Sequence, residues 1–264
     1  MSKMELIKYV DILHSILLRG ICIVDRSSKI SSPLLGRVKG LRASIYASAS
    51  SKVIMGKNIS LKRCKLIALK NSRIVIHDNV KLENVEIKVS GGGIVEIFEN
   101  SIVSGYVRRI TWKIDSGKFI LGHHSRVSHN MWIRYGGIVN IGQYTCVNQG
   151  SEIRCDESIQ IGSYSQISYN VNIWDTNTHS IYRADERRRL TETKGIGYEF
   201  EKPKTSPISI GDDCWIGKNS AILKGSVVGN KCIIGYGTTI INKQIADNVS
   251  VVNKIEIKQF SNKV

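Results

Sequence analysis

No stretch of this 264-residue chain approaches the ~18 uninterrupted apolar residues that a membrane-crossing helix needs. The N-terminal segment MSKMELIKYVDILHS sets Glu5 and Asp11 among its apolar positions, which a signal peptide would not do. No Cys-x-x-Cys pair occurs. Cys22, Cys64, Cys146, Cys155, Cys214 and Cys232 are scattered, a usage that suits reduced thiols in a cytoplasm rather than a disulfide framework. Zinc-finger spacing and an aromatic RNA-binding signature are also missing, so nucleic acid is not an expected partner. Neither a glycine-rich phosphate loop nor a nucleophile elbow is present, which removes two common routes to catalysis.

Acid is scarce as well. The chain carries 38 Lys and Arg against 22 Asp and Glu, a formal charge of +16. The excess is concentrated at the start, where residues 1–90 hold 17 basic and 6 acidic side chains. Such a surface attracts polyanions: phosphorylated cofactors, anionic glycans or an acidic membrane face.

What the chain does have is a repeat. Aliphatic residues recur every six positions at Leu121, Val127 and Ile133, at Ile141, Val147 and Ile153, and at Ile161, Ile167 and Ile173. The series returns at Ile210, Ile216, Ile222, Val228, Ile234 and Ile240, followed by the slots of Ala246 and Val252. Weaker copies start at Met55, Ile76 and Ile97. A period of six matches neither a helix nor a hairpin meander. It fits a solenoid in which each hexad is a short strand plus a corner and three hexads close one coil. The steps of eight from Ile133 to Ile141 and from Ile153 to Ile161 imply two extra residues at a corner. The expected organisation is a cap over 1–27, a solenoid over 28–258 and a tail over 259–264. Within the first segment Leu6, Val10, Leu13 and Leu17 follow helical spacing, with Arg19-Gly20 as the stop. That helix either covers the open end of the solenoid or docks on a membrane surface; the cap is the favoured reading.

The segment 174–243 combines WDTNTHS, a loop with Asp185-Glu186-Arg187-Arg188, and PISIGDDCWIGKNSAILKGSVVGNKCIIGYGTTI. This combination resembles the hexapeptide-repeat acyltransferases, in particular the O-acetyltransferases of sugars and surface polysaccharides. The resemblance implies an all-β fold, a left-handed parallel β-helix; the hand comes from the family alone, because parallel crossovers are normally right-handed. It implies acetyl-CoA as donor, no metal, a homotrimer, and a hydroxyl of a capsule or O-antigen glycan or its precursor as acceptor. Direct transfer in a ternary complex is the family's route.

The repeat breaks off after Ile173 and resumes near Ile208, an excursion over about 176–207. A solenoid face is shallow, so an excursion supplies the wall a reaction needs, and His179 stands at its exit. An imidazole with a pKa near ~6.5 suits removal of a hydroxyl proton. The family assigns the equivalent His the role of general base and the Trp matching Trp215 a place lining the site, in some members beside the His of a neighbouring subunit. The oxyanion is expected to meet backbone N–H groups of the coil after the excursion. The resemblance sets the donor against Trp215, Gly217, Lys218, Tyr236, Gly237, Lys243 and Lys254. Asp175 and Asn177 are candidates to orient the imidazole or meet the acceptor, and Arg183 to meet an anionic one.

Two departures stand out. Tyr236 replaces a small residue beside the pantetheine arm, and the terminal Asn-Pro-Ala-Lys turn is replaced by SVVNKIEIKQF, which bears on Lys254. His123, His124 and His129 bring zinc to mind, but His123 and His129 share one slot of consecutive hexads and should point out from different faces, so one chain cannot converge them. N-acetylation of a nucleotide-linked amino sugar and a non-catalytic glycan-binding solenoid remain as alternative functions. The expected location is the cytoplasm, with peripheral contact at the inner membrane face as an option.

Overall fold

The structure, a computed structural model, describes residues 16–24, 27–31, 38–197, 201–254 and 258–259. Short strands follow one another along the chain, and every strand ladder is parallel. Successive strands pair not with each other but with the strand one coil later. Ile138–Ile141 pairs with Ser158–Ile161, Cys146–Val147 with Gln166–Ile167, and Glu152–Cys155 with Asn172–Trp174. Three such ladders enclose a triangular prism. We call the ladder through Ser158–Ile161 and Ile208–Ile210 face one, that through Gln166–Ile167 and Trp215–Ile216 face two, and that through Asn172–Trp174 and Ala221–Leu223 face three. Face one has ten strands among the described residues. Val38–Ala47 bends through a corner near Arg42 and so takes part in both other faces.

The aliphatic slots explain the prism. Leu121, Val127, Ile133 and their equivalents through Ile240 are buried. Leu121 stacks on Ile141 and Val127 on Val147, while on face three Ile133 stacks on Cys155 and Ile153 on Met131 and Ile173. Burial of each such side chain contributes ~1.5–3 kcal/mol, repeated once per face and coil. The weaker copies follow the same rule: Met55 pairs with Ile76, Ile76 with Ile97, and Ile97 with Leu121. This is the parallel β-helix solenoid that the repeat and the resemblance imply.

Four details differ from the sequence expectation. The last coil slips by one residue: Ala246 and Val252 are exposed, and Ile245 and Val251 pair with Val228 and Ile234 instead. The corner before Ile245 is one residue short, so the frame read by counting sixes misses both slots. Leu17 and Arg19-Gly20 do not end a helix; they lie in the strand Ile16–Val24, parallel to Val38–Ala47, with Gly20 at a register shift. Parallel pairing therefore starts before residue 28. The rest of the expected helix, residues 1–15, lies outside the described residues, as does the tail apart from residue 259. The excursion is not all loop, because Ala184–Lys194 forms an α-helix, α1, with Asp185 and Glu186 in its first turn, Lys194 in its last and Gly195 closing it at φ 100°. Finally, His129 does not point outward. It is fully buried beside Trp112 and Phe119, with ring centroids 5.6 and 6.4 Å away. No helix among the described residues is long and apolar enough to cross a membrane.

Candidate functional site

The excursion leaves the prism at the edge between faces three and one, just after Trp174, and returns at Ile208. An antiparallel bridge between Thr176 and Thr205 closes its neck. Beneath the neck lies a buried polar cluster. Arg134 Nε and Nη2 donate to the two carboxylate oxygens of Asp156 at 2.9 and 2.7 Å, with both side chains nearly excluded from solvent. The Thr176 hydroxyl donates to Asp156 Oδ2 at 2.6 Å and accepts from the Thr178 amide at 3.0 Å. Arg134 Nη2 also reaches the Thr178 carbonyl at 3.4 Å. The Arg134 guanidinium lies 4.6 Å from the Trp132 ring centre and 5.2 Å from that of Tyr135.

Thr178 has φ +65°, a left-handed conformation that a β-branched residue rarely adopts. The strain is held in place by bonds to its amide and its carbonyl, and the next residue is His179, exposed on the rim. The imidazole is thus carried by a neck whose backbone is fixed from below.

Asp175 has a different role from the one expected. It is fully buried, its Oδ1 accepts from the Asp156 amide at 2.8 Å, and its Oδ2 accepts from the Glu157 and Ser158 amides at 2.9 and 2.8 Å and from Cys155 Sγ at 3.2 Å. Burial pushes its carboxyl above the usual range, and the amide donors act against that. A carboxylate so occupied holds the corner together and does not meet an acceptor. Burial and the neighbouring Asp175 in turn push the Cys155 thiol upward. Asn177 is half-buried, with its amide bonded to the Lys204 carbonyl at 3.1 Å. Arg183 is exposed at the start of α1 with Asp185 at 3.7 Å.

The residues expected to hold the donor fall mainly elsewhere. Trp215 projects from face two and is 54% exposed. Gly217, Lys218, Tyr236 and Gly237 follow at the edge between faces two and three, where the Gly237 amide bonds the Lys218 carbonyl at 2.9 Å. The Tyr236 hydroxyl accepts from Asn219 Nδ2 at 2.7 Å, which draws the exposed ring toward the coil below. Lys254 adjoins the same edge, since Asn253 Nδ2 donates to the Gly237 carbonyl at 2.8 Å. Open ground over Gly237, an exposed indole and an exposed ammonium at Lys218 fit an aromatic, phosphorylated donor. Lys243 does not join them; it follows Thr239–Ile241 at the edge that carries the excursion.

The separation has a consequence. Face two lies opposite the edge between faces three and one, so His179 and Trp215 of a single chain are on opposite sides of the prism. The structure brings Trp215, Gly217, Lys218, Tyr236 and Gly237 together and leaves His179 apart from them. Arg134, Asp156, Thr176 and Thr178 were not singled out in the sequence. The available signal was the pair of eight-residue steps, because Arg134 and Asp156 fill those two enlarged corners directly under the excursion. His123 and His124 mark a third location, the edge between faces one and two, with their Nδ1 atoms 2.8 Å apart and His124 stacked on Tyr144.

Residues 207–242 match the family model described as bacterial transferase hexapeptide (six repeats). Over that segment the chain is similar to the bacterial hexapeptide transferases, in keeping with its periodicity and motifs. It is 30% identical over 129 residues to galactoside O-acetyltransferase of Escherichia coli (strain K12), covering 49% of this chain and 57% of that one. It is 25% identical over 115 residues to the putative lipopolysaccharide biosynthesis O-acetyl transferase WbbJ of the same organism, covering 44% and 56%. The chain thus spans little more than half the length of these two curated relatives. The crystal structure of the polySia specific acetyltransferase NeuO aligns over 90% of this chain and 91% of its own, at 18% identity and a TM-score of 0.45.

Proposed function

We propose that this protein transfers an acetyl group from acetyl-CoA to a hydroxyl of a bacterial surface polysaccharide or its precursor, in a homotrimer whose sites form between subunits. The carrying observation is the opposed arrangement of a rim histidine on a fixed, strained neck and an exposed Trp215–Lys218 surface. One prism cannot bring them together. Prisms packed side by side set the excursion edge of one against face two of the next, which completes a cleft at each contact.

In that cleft His179 accepts the proton of the attacking hydroxyl as the tetrahedral adduct forms and passes it to the departing coenzyme A thiolate as the thioester C–S bond breaks. Trp215 and Lys218 hold the donor, the indole by stacking and the ammonium by pairing with phosphate. Acetyl-CoA supplies the acetyl group. Backbone N–H groups of the coil after the excursion stabilise the oxyanion. The reaction belongs at the cytoplasmic face of the inner membrane, where a chain of charge +16 meets anionic lipid and glycan precursors.

The test is His179→Ala. Turnover should fall by ~10²–10⁴ while acetyl-CoA affinity stays within a few-fold, because a base acts only in the transition state. Retention of a tenth or more of wild-type turnover at neutral pH would remove His179 from that role. Trp215→Ala should instead raise a Michaelis constant.

A further inference from the structure

The edge between faces two and three carries an irregularity that donor binding does not use. Between Lys81–Glu83 and Val85–Ser90 only Asn84 turns the corner; one coil later, between Ile102–Ser104 and Ile110–Asp115, five residues do. The surplus is built, not loose. The Gly105 amide bonds the Glu83 carbonyl at 2.9 Å, the Ile110 amide bonds the Asn84 carbonyl at 3.2 Å, and Asn84 Nδ2 donates to the Gly105 carbonyl at 2.8 Å. A Cβ on Gly105 would meet the Arg108 carbonyl oxygen at 2.2 Å, so this closed loop needs glycine. The loop lifts Tyr106 and Val107 into solvent at 55% and 77% exposure, with Arg108 beside them.

Two hollows flank the loop, of about 490 and 310 Å³, and they share Gln149 and Tyr169. Together they form a trough climbing the edge from the loop to Lys218, four coil steps or about 19 Å at the usual strand spacing. Its lining includes Arg108, Arg109, Arg126 and Lys218 and no Asp or Glu. Arg109 is engaged by the Arg63 carbonyl at 3.1 Å and by Glu86 at 3.9 Å. Arg126 contacts Cys146 and Tyr106, which raise its pKa. Among the described residues neither Arg108 nor Lys218 is ion-paired. Gln149, at the junction of the hollows, is only half-buried, so its amide can serve a ligand hydroxyl.

We propose that this trough is the acceptor subsite and that it selects a glycan carrying carboxylates along its length. The inference rests on the acetyl-transfer reading and names its substrate class. Arg108 and Arg126 lie on neighbouring turns at the loop end, and Lys218 stands at the donor end about 19 Å away. The loop-end cations are thus too far from the donor surface to serve the same pyrophosphate and suit carboxylates on an extended chain. Tyr169 and Tyr106 add exposed aromatic surface to the lining, and Gln149 offers amide groups to hydroxyls. The upper end of the trough is Lys218, so a chain lying in it runs toward the donor surface.

The experiment titrates the full-length protein with a galacturonate octamer, a sialic acid octamer and a neutral galactose octamer, and separately with acetyl-CoA. The Arg108→Gln/Arg126→Gln variant is titrated the same way. At least one acidic octamer should bind tenfold or more tightly than the neutral one, and the double variant should lose most of that preference while keeping its acetyl-CoA affinity. If neither acidic octamer outbinds the neutral one, or the variant keeps the preference, the proposal fails. Equal weakening of acetyl-CoA would assign the trough to the donor's phosphates and also overturn it. Wild-type protein that binds no acetyl-CoA sinks the transfer reading by itself, whatever the octamers do.

Discussion

Arg134 and Asp156 form a two-pronged ion pair in the buried corner beneath the excursion, and the same guanidinium reaches the carbonyl of Thr178, one residue before His179. Removing one partner of such a pair leaves a buried charge uncompensated, a cost of about 3–5 kcal/mol. Arg134→Met should therefore lower stability to denaturant by about that amount. Arg134→Met/Asp156→Leu should recover part of the loss, because neither charge is then stranded. A single variant as stable as wild type would show that the pair does not hold the neck.

Thr178 gives a different signature. Glycine adopts φ +65° without strain and keeps both backbone bonds, so Thr178→Gly should leave the melting temperature unchanged or raise it, by up to about 1 kcal/mol of stability. Turnover should nevertheless fall several-fold, with little change in either Michaelis constant, because a looser neck aims the imidazole less well. Loss of stability with unchanged turnover would contradict this.

Mixed subunits test the shared site. Alone, His179→Ala chains are expected to be nearly inactive, and Trp215→Ala chains nearly so at substrate concentrations far below their raised Michaelis constant. Unfolded together and refolded in equal amounts, they should recover about a quarter of wild-type activity, since a quarter of random subunit contacts pair an intact His with an intact Trp. No recovery would mean that each chain uses its own His and Trp, which the opposed faces argue against.

His129 predicts a pH dependence of stability. It is fully buried, neither ring nitrogen has a hydrogen-bond partner, and burial pushes its pKa down to about 3. The unfolded chain takes up the proton below its ordinary value of 6.5, whereas the folded chain does not until about 3. Stability should therefore fall as pH drops through that window, by up to ~1.4 kcal/mol per pH unit. His129→Phe should flatten this limb and leave neutral-pH stability unchanged or higher, because it buries no unpaired nitrogen beside Trp112 and Phe119. A variant that keeps the full acid slope would trace it to other groups.

Most of the fold was legible because the prism imposes one rule per six residues. Ile141, Val147 and Ile153 could be assigned inward from spacing alone, and so could Ile210, Ile216 and Ile222. Where a corner changes length, counting fails, as at Ile245 and Val251. Leu17 misled because one residue at helical spacing does not tell the end of a helix from the start of a strand, and the partner strand Val38–Ala47 decides between them.

The candidate site was legible only as residue types. The break in the repeat marked His179 and the motif marked Trp215, but nothing in the chain order says that an edge and the face opposite it carry them. Asp175 read as a candidate to orient the imidazole or meet the acceptor; the fold turns it inward, onto three amides of the neighbouring coil.

By itself, then, the sequence determined the six-residue period, the inward aliphatic stack and the location of the interruption, since each depends on residues near one another in the chain. The tertiary structure alone decided which side chains meet across coils. Arg134 and Asp156 are 22 residues apart and Arg134 and Thr178 are 44 apart, and only the parallel stacking of coils sets them in contact. The same stacking gathers Arg108, Arg126, Gln149 and Lys218 along one edge, because neighbours in a solenoid are one turn apart in space however far apart they lie in sequence.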